Sequence, residues 1–303
     1  RCLPYCFAAG AGGLLIALPF TRQPAMPARS SAPPAPEITY RITGKLPAVL
    51  DTALWMRNGA VQVQWMIQRL MRDNCSSTKR LSIEFNIPKG RTLPLLMPDG
   101  TTIDINADSR LSISCDYGGR TREIELTGEA FFNVFPDANR QFIVHSGLTD
   151  IIVLGTSFNV NNYEDNSSCQ VAVSTGKVLV ITRRNKTEVS PETTILSAGK
   201  CISTDRVTGK AAITTFSRTE IMGWRQGIYL CNNKKLKDIC RRAERAYNDS
   251  IVIDRPALAR NYIRVTFWRN KHITYLLEEL SENNPSIFYY RDQKNILHLG
   301  QHN

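Results

Sequence analysis

The sequence predicts a mainly β exported domain, a sandwich or β-solenoid, followed by a small α+β domain of order βαββαββ and preceded by one transmembrane helix. Three observations predict it. Residues 2–20 carry no charge. From Leu81 to about Thr204, short alternating runs succeed one another, separated by turn signals and with no helical period between them. After Phe216, two stretches of helical spacing alternate with strand-like runs.

The bulk numbers bound this. A chain of 303 residues suits about two domains at ~100–200 residues each. Hydrophobic content of 42% and charged content of 21% describe an ordered globular protein. The net charge of +11 raises nucleic acid or an anionic membrane as partners. Residues 214–303 hold 15 Lys/Arg against 9 Asp/Glu, so +6 of that charge lies in the last 90 residues. No long basic run exists; the densest, "TRRNK" at Thr182–Lys186, falls at an expected hairpin turn. Charge alone reads no bases, and no nucleic-acid partner is expected.

The first element, "CLPYCFAAGAGGLLIALPF" (Cys2–Phe20), is long enough as a helix to span roughly 28 Å, close to a hydrocarbon core. "TRQPAMPARSSAPPAPE" after it reads as an extended spacer. The expected division is a transmembrane helix over 1–20, a Pro/Ala/Ser-rich linker over 21–40, an all-β domain over 41–210 and an α+β domain over 211–303. The competing reading is a secretory signal peptide cleaved near Ala25–Ala28, although its apolar run exceeds the usual ~7–15 residues. Both readings export the bulk of the chain. Arg1, Arg22 and Arg29 nearly cancel and set no orientation. Lys45–Arg80, with "QWMIQRLMRDNCSSTKR", reads as helical.

The β series then runs "LSIEFNI", "RTLPLLM", "TTIDINA", "RLSISCDY", "TREIELTGEAFFNVF", "QFIVHS", "DIIVLGTSFNVNNY", "QVAVSTGKVLVI" and "TTILSAGKCIST". Pro98-Asp99-Gly100 is a turn with a mechanism, since Pro sets φ and Gly accepts φ > 0. In "IELTGEAFFNVF" the pair Gly128-Glu129 interrupts the alternation. A catalytic acid, a ligand-binding group and a structural turn are all open on the residues alone. A glycine there permits a bulge, which would shift the alternation by one residue and let Ala130, Phe132 and Val134 share an apolar face. Glu129 would then cap backbone N–H groups or pair with an Arg such as Arg122.

In the order "IPKGRTLPLLMPDGTTIDINADSRL", "REIELTGEAFFNV", "QFIVHSG", "VLGTSFNVNNY", "VSTGKVLV", the chain resembles the periplasmic domain of FecR-type anti-sigma factors from Ile87 to about Lys200. Ser114-Cys115 stands where relatives often carry Tyr-Pro, and Lys45–Arg80 fits the family poorly. The resemblance implies that Asp99, Gly100, Gly128, Glu129, Gly155 and Gly176 are structural motif positions, with "GE" a strand motif and no catalytic group.

In the last ninety residues, "GIYL" (Gly227–Leu230) reads as a strand. Leu236, Ile239, Cys240, Ala243, Ala246 and Tyr247 fall at helical spacing. "SIVID" and "NYIRVTFW" are strands, Ile273, Leu276, Leu277 and Leu280 repeat the helical spacing, and "SIFYYRD" and "NILHLG" form a hairpin around Gln293-Lys294. Helices on one side of a sheet are expected. Trp224, Gly227, Leu230 and the run Leu236–Asn248 resemble the domain commonly fused behind the FecR domain in TonB-linked sensors, itself like the short N-terminal module of secretins and TonB-dependent receptors. The first helix is basic. Lys234, Lys237, Arg241 and Arg245 are candidates for docking an acidic partner, against the plainer reading of a solvated face. Sheet edges in such a domain also invite strand addition.

No catalytic, cofactor-binding or metal-binding residues are expected, and the chain reads as no enzyme. It has no GxSxG elbow, HExxH or P-loop. His145 sits at a strand end, and Asp99 is explained by turn chemistry although Asp104 lies five residues on. The eight cysteines form no C-x-x-C pair and the four histidines approach no cysteine cluster, which speaks against zinc. The cysteines read as buried thiols, with disulfides the alternative. The resemblance implies a single-pass inner-membrane sensor with residues after about 21 in the periplasm. Its partners would be the signalling domain of an outer-membrane TonB-dependent receptor and, through a cytoplasmic segment this chain does not carry, an extracytoplasmic-function sigma factor. The alternative is an exported, non-enzymatic binding or structural β protein with a signal peptide and no sigma-factor partner.

Overall fold

The computed structural model describes residues 37–43 and 82–302 apart from 115, 116, 118, 186 and 189. The expected span at 1–20, most of the linker and the helical-looking 45–80 lie outside the described residues. Among the described residues, no helix is long and apolar enough to cross a membrane.

Fourteen strands form one curled sheet: β1 (Thr39–Thr43), β2 (Ser82–Ile87), β3 (Leu93–Leu96), β4 (Thr102–Ile105), β5 (Ser109–Ser114), β6 (Arg122–Asn133), β7 (Phe142–Ser146), β8 (Thr149–Val153), β9 (Ser157–Asn162), β10 (Ser168–Thr175), β11 (Lys177–Thr182), β12 (Glu192–Ser197), β13 (Lys200–Asp205) and β14 (Ala211–Thr215). The sheet has two halves that share β6. Residues 122–127 of β6 pair with β5 and, in parallel, with β7. Residues 128–133 pair with β4 and β9. The first half runs β1-β2-β5-β6-β7-β8-β11-β12 and the second β3-β4-β6-β9-β10-β13-β14. Both turn their apolar rows into one core, with Phe85, Leu111 and Val180 from the first half and Ile103, Phe158 and Val171 from the second.

Gly128 is where β6 changes halves. Its φ is +107°, and a Cβ there would lie 2.3 Å from Ser109 Oγ. The expected bulge is absent: Ile124, Leu126, Ala130, Phe132 and Val134 are all buried in one unbroken alternation. The glycine bends the strand and leaves room for Ser109 without shifting the register.

Three runs that read as single strands are each cut at a corner. β8 and β9, β10 and β11, and β12 and β13 lie in opposite halves. Because both halves face the same core, apolar alternation carries on through the corner and hides it. Gly155 and Gly176 mark two of these corners; a Cβ on Gly155 would stand 2.6 Å from Pro136 Cα. β14, beyond the expected boundary at 210, pairs with β13.

The C-terminal module contains α1 (Arg218–Met222), a 3-10 turn at Gly223–Gln226, β15 (Ile228–Lys235), α2 (Leu236–Tyr247), β16 (Ile251–Ile253), β17 (Tyr262–Trp268), α3 (Ile273–Asn283), β18 (Ile287–Arg291) and β19 (Leu297–Gln301). The order from β15 onward is the expected βαββαββ. The strands form two sheets, not one: β15 with β17, and β16-β19-β18 with β16 parallel to β19. α2 and α3 each contact strands of both sheets. Their apolar stripes, Leu236, Ile239 and Ala243 on α2 and Ile273, Leu276, Leu277 and Leu280 on α3, share a core with Phe267, Leu297 and Leu299. Periodicity fixes which face of a helix is buried and is silent on how many sheets bury it. His272 caps α3, its Nδ1 accepting the Thr274 N–H at 3.3 Å.

Candidate functional site

A network of buried polar groups lies at the seam between the β domain and the C-terminal module. One row of residues runs across the outer face of the second half-sheet: Asp104, Phe131, Asn159, Ala172 and Cys201 oppose one another from β4 to β13. Phe131, Ala172 and Cys201 belong to the hydrophobic cluster of the C-terminal module, not to the β core. That module covers the row. Arg225 Nε donates to Asp104 Oδ2 at 2.6 Å, and its guanidinium lies 3.9 Å from the Phe131 ring centroid. Trp224, fully buried, donates its indole N–H to Asn159 Oδ1 at 3.2 Å.

Glu129 stands at the base of the seam and is 3% exposed. Asn159 Nδ2 donates to its Oε1 at 2.9 Å and Asn106 Nδ2 to its Oε2 at 2.8 Å. Its backbone N–H donates to Ser109 Oγ at 3.0 Å. The expected partners, backbone N–H groups or Arg122, are not the ones found. Seven residues of extended strand at ~3.3 Å each put Arg122 on the order of 20 Å away. Two side-chain amides satisfy the carboxylate instead, as its burial requires. Asparagine is depleted in strands, so the Asn residues of "DINADS" and "SFNVNN" were the available signal for this network.

Arg122 serves a second buried site. Its Nη1 donates to Asp99 Oδ2 and to Phe135 O, both at 2.9 Å, and its Nη2 to Arg140 O at 2.8 Å. Asp99 also accepts the Thr101 N–H and hydroxyl and the Tyr117 hydroxyl. Burial, with Asp99 beside it, pushes the Tyr117 phenol far up and keeps it a neutral donor. Gly100 has φ +88°, and a Cβ there would lie 3.3 Å from Phe135 Cδ2. Asp99 and Asp104 are therefore no pair: one closes a turn against Arg122 and the other meets Arg225 across the seam.

The four basic residues near α2 are placed unequally. Arg245 is 5% exposed. Its guanidinium lies 3.7 Å from the Tyr163 ring centroid, bonds Asp165 through Nη2 and approaches Asp108 through Nε at 3.5 Å. The carbonyl of Arg245 accepts the Gly90 N–H at 2.6 Å. Arg241 bonds Asp165 as well, 3.5 Å from Nε to Oδ2. Lys234 Nζ pairs with Glu220 at 2.8 Å. Lys237 is half-buried and forms no ion pair with a described residue. Helical spacing locates such cations on a face but does not show what lies against it.

A polar cavity of about 230 Å³ sits in the seam, lined by Glu129, Asn161, Gln170, Lys234, Arg242 and Arg245 among others. Its charges of both signs balance, and no metal-ligand cluster is present among the described residues. The described cysteines, Cys169, Cys201, Cys231 and Cys240, are free and buried, as the thiol reading expects. Burial pushes the Cys169 and Cys201 thiols up to about 11, which keeps them protonated and unreactive.

No protein of curated function matches the chain. Residues 84–179 match the family described as FecR protein, and residues 228–298 match that described as FecR, C-terminal. Two crystal structures of a candidate anti-sigma factor from Parabacteroides distasonis ATCC 8503 are similar to it. They have TM-scores of 0.66 and 0.66 and identities of 26% and 27%, each covering 73% of this chain and 100% or 99% of its own. With both domain types present in order, joined across the seam, the chain belongs to the FecR family, a regulatory family of anti-sigma factors.

Proposed function

We propose that the chain is a membrane-anchored periplasmic regulator that passes a signal from an outer-membrane TonB-dependent transporter to an extracytoplasmic-function sigma factor. In this reading residues 1–20 span the inner membrane, 21–40 are a spacer, 41–215 form the β domain and 216–303 the module that meets the receptor's signalling domain. The sigma factor is reached through a cytoplasmic segment. The supporting observation is the seam. Trp224, Arg225, Arg241 and Arg245 fasten the C-terminal module to the β domain, so a contact on the module moves the β domain with it. Lys237, without an ion partner among the described residues, is the docking cation this reading retains on α2. The protein acts by contact, without making or breaking bonds.

Two experiments test this. Pull-down with the full chain should recover the periplasmic signalling module of a TonB-dependent receptor from the same organism; recovery of polysaccharide or nucleic acid alone would defeat the reading. Fractionation should keep the chain with the inner membrane, and its release by osmotic shock would remove the anchor.

A further inference from the structure

The two-stranded sheet of the C-terminal module stops at β17. That strand pairs with β15 on one side and with no described strand on the other. A groove of about 500 Å³ runs along β17, with Leu230 of β15 at its margin. Six of the seven β17 residues line it, buried Ile263 and Val265 together with exposed Tyr262 and Arg264. A cavity lined by consecutive residues of one strand runs along the backbone edge, because alternate residues point to opposite faces. The far wall is α3, through Tyr275, Glu279 and Asn283.

Open edges in soluble proteins are usually guarded by prolines, bulges or short length. β3, an edge of the large sheet, is four residues long and contains Pro94. The β15 ladder is irregular between Cys231 and Lys234. β17 has seven residues, no proline and no glycine. Its outward row is exposed Tyr262 and Arg264 and half-buried Thr266 and Trp268, with Trp268 packed edge-on against Tyr275 at 5.6 Å. Neither Arg264 nor neighbouring Lys235 has a carboxylate partner among the described residues. Arg264 Nε donates to Asn232 Oδ1 at 2.8 Å, and Lys235 Nζ lies 5.8 Å from the Tyr262 ring centroid. Two such cations on one strip disfavour a second copy of the same strip and favour an acidic strand.

We infer that the outer edge of β17 is a strand-addition site, and that it takes an extended, carboxylate-bearing segment of the partner protein. The incoming strand hydrogen-bonds the free backbone groups of β17, its carboxylates face Arg264 and Lys235, and alternate apolar side chains enter the groove toward α3. This rests on the receptor reading above for the identity of the partner, while the mode of contact rests on the edge itself.

Hydrogen exchange on the full chain, with and without the purified receptor signalling module, tests it. Amides of residues 262–268 should exchange at least tenfold more slowly in the complex, while those of the edge strands β12 and β14 do not change. Arg264→Glu should weaken binding at least tenfold with an unchanged melting temperature, and Arg264→Lys should retain it. Binding without protection of β17, or full binding by the Glu variant, overturns strand addition and leaves the receptor reading standing. Absence of binding by the wild-type chain overturns both. Protection of β17 in the chain alone that disappears on dilution assigns the edge to a second copy and overturns the inference.

Discussion

Gly128 carries more of the fold than any other single position. It must bend at φ +107° and must lack a side chain, because Ser109 Oγ occupies the space where a Cβ would go. Gly128→Ala should cost about 3 kcal/mol from strain and overpacking together, read as a lower urea midpoint with an unchanged slope. An unchanged midpoint would mean that β6 does not cross between the halves there. His298 offers a different residue-level test. Its Nδ1 meets Asp254 at 2.7 Å, and this hydrogen bond, against the opposing effect of burial and with the charges of Asp254 and Asp292, raises its pKa above the ordinary 6.5. A raised folded pKa means stabilisation that is complete below 6.5 and lost as pH rises through the elevated value. Wild type should therefore melt above His298→Gln at pH 6, and the gap should close with increasing pH. A gap that widens toward alkaline pH would contradict this ion pair.

Among the elements, helices and strands were legible and their partners were not. The stripes of α2 and α3 and the alternation of β2, β5 and β7 record burial directly, so periodicity found them. The corners between β8 and β9 or β10 and β11 escaped because both halves feed one core, and only a glycine marks the change. β14 escaped for the opposite reason: all five of its residues are exposed, so it has no apolar rhythm. The same limit applies at α2, where Arg245 reads as one more surface cation until Tyr163, Asp108 and Asp165 are placed against it. Arg245→Met should cost about 2 kcal/mol, since it removes the ring contact and leaves half-exposed aspartates that water can solvate. It should also make the segment between β13 and β15 more sensitive to limited proteolysis. Unchanged cleavage in the variant would show that the seam is held elsewhere.

On the scale of the whole molecule, the described residues fall in one compact unit, although two domain types compose it. The proposed signal passage requires that the parts move together, and the seam is the contact that would couple them. An apolar row on the β domain is covered by Trp224 and Tyr229, and ion pairs from α2 close its rim. The length suggested two domains, while their coupling depends on long-range pairs such as Arg225 with Asp104 that no local pattern announces.

Urea unfolding followed on one sample by far-ultraviolet dichroism and by tryptophan fluorescence tests this coupling most directly. With Trp55, Trp65 and Trp268 replaced by Phe in both proteins compared, Trp224 alone reports from the seam, and dichroism reports mostly from the β domain. Coincident transitions in wild type that separate in Arg245→Met are the expected result. Two separate transitions in wild type would contradict a single coupled body.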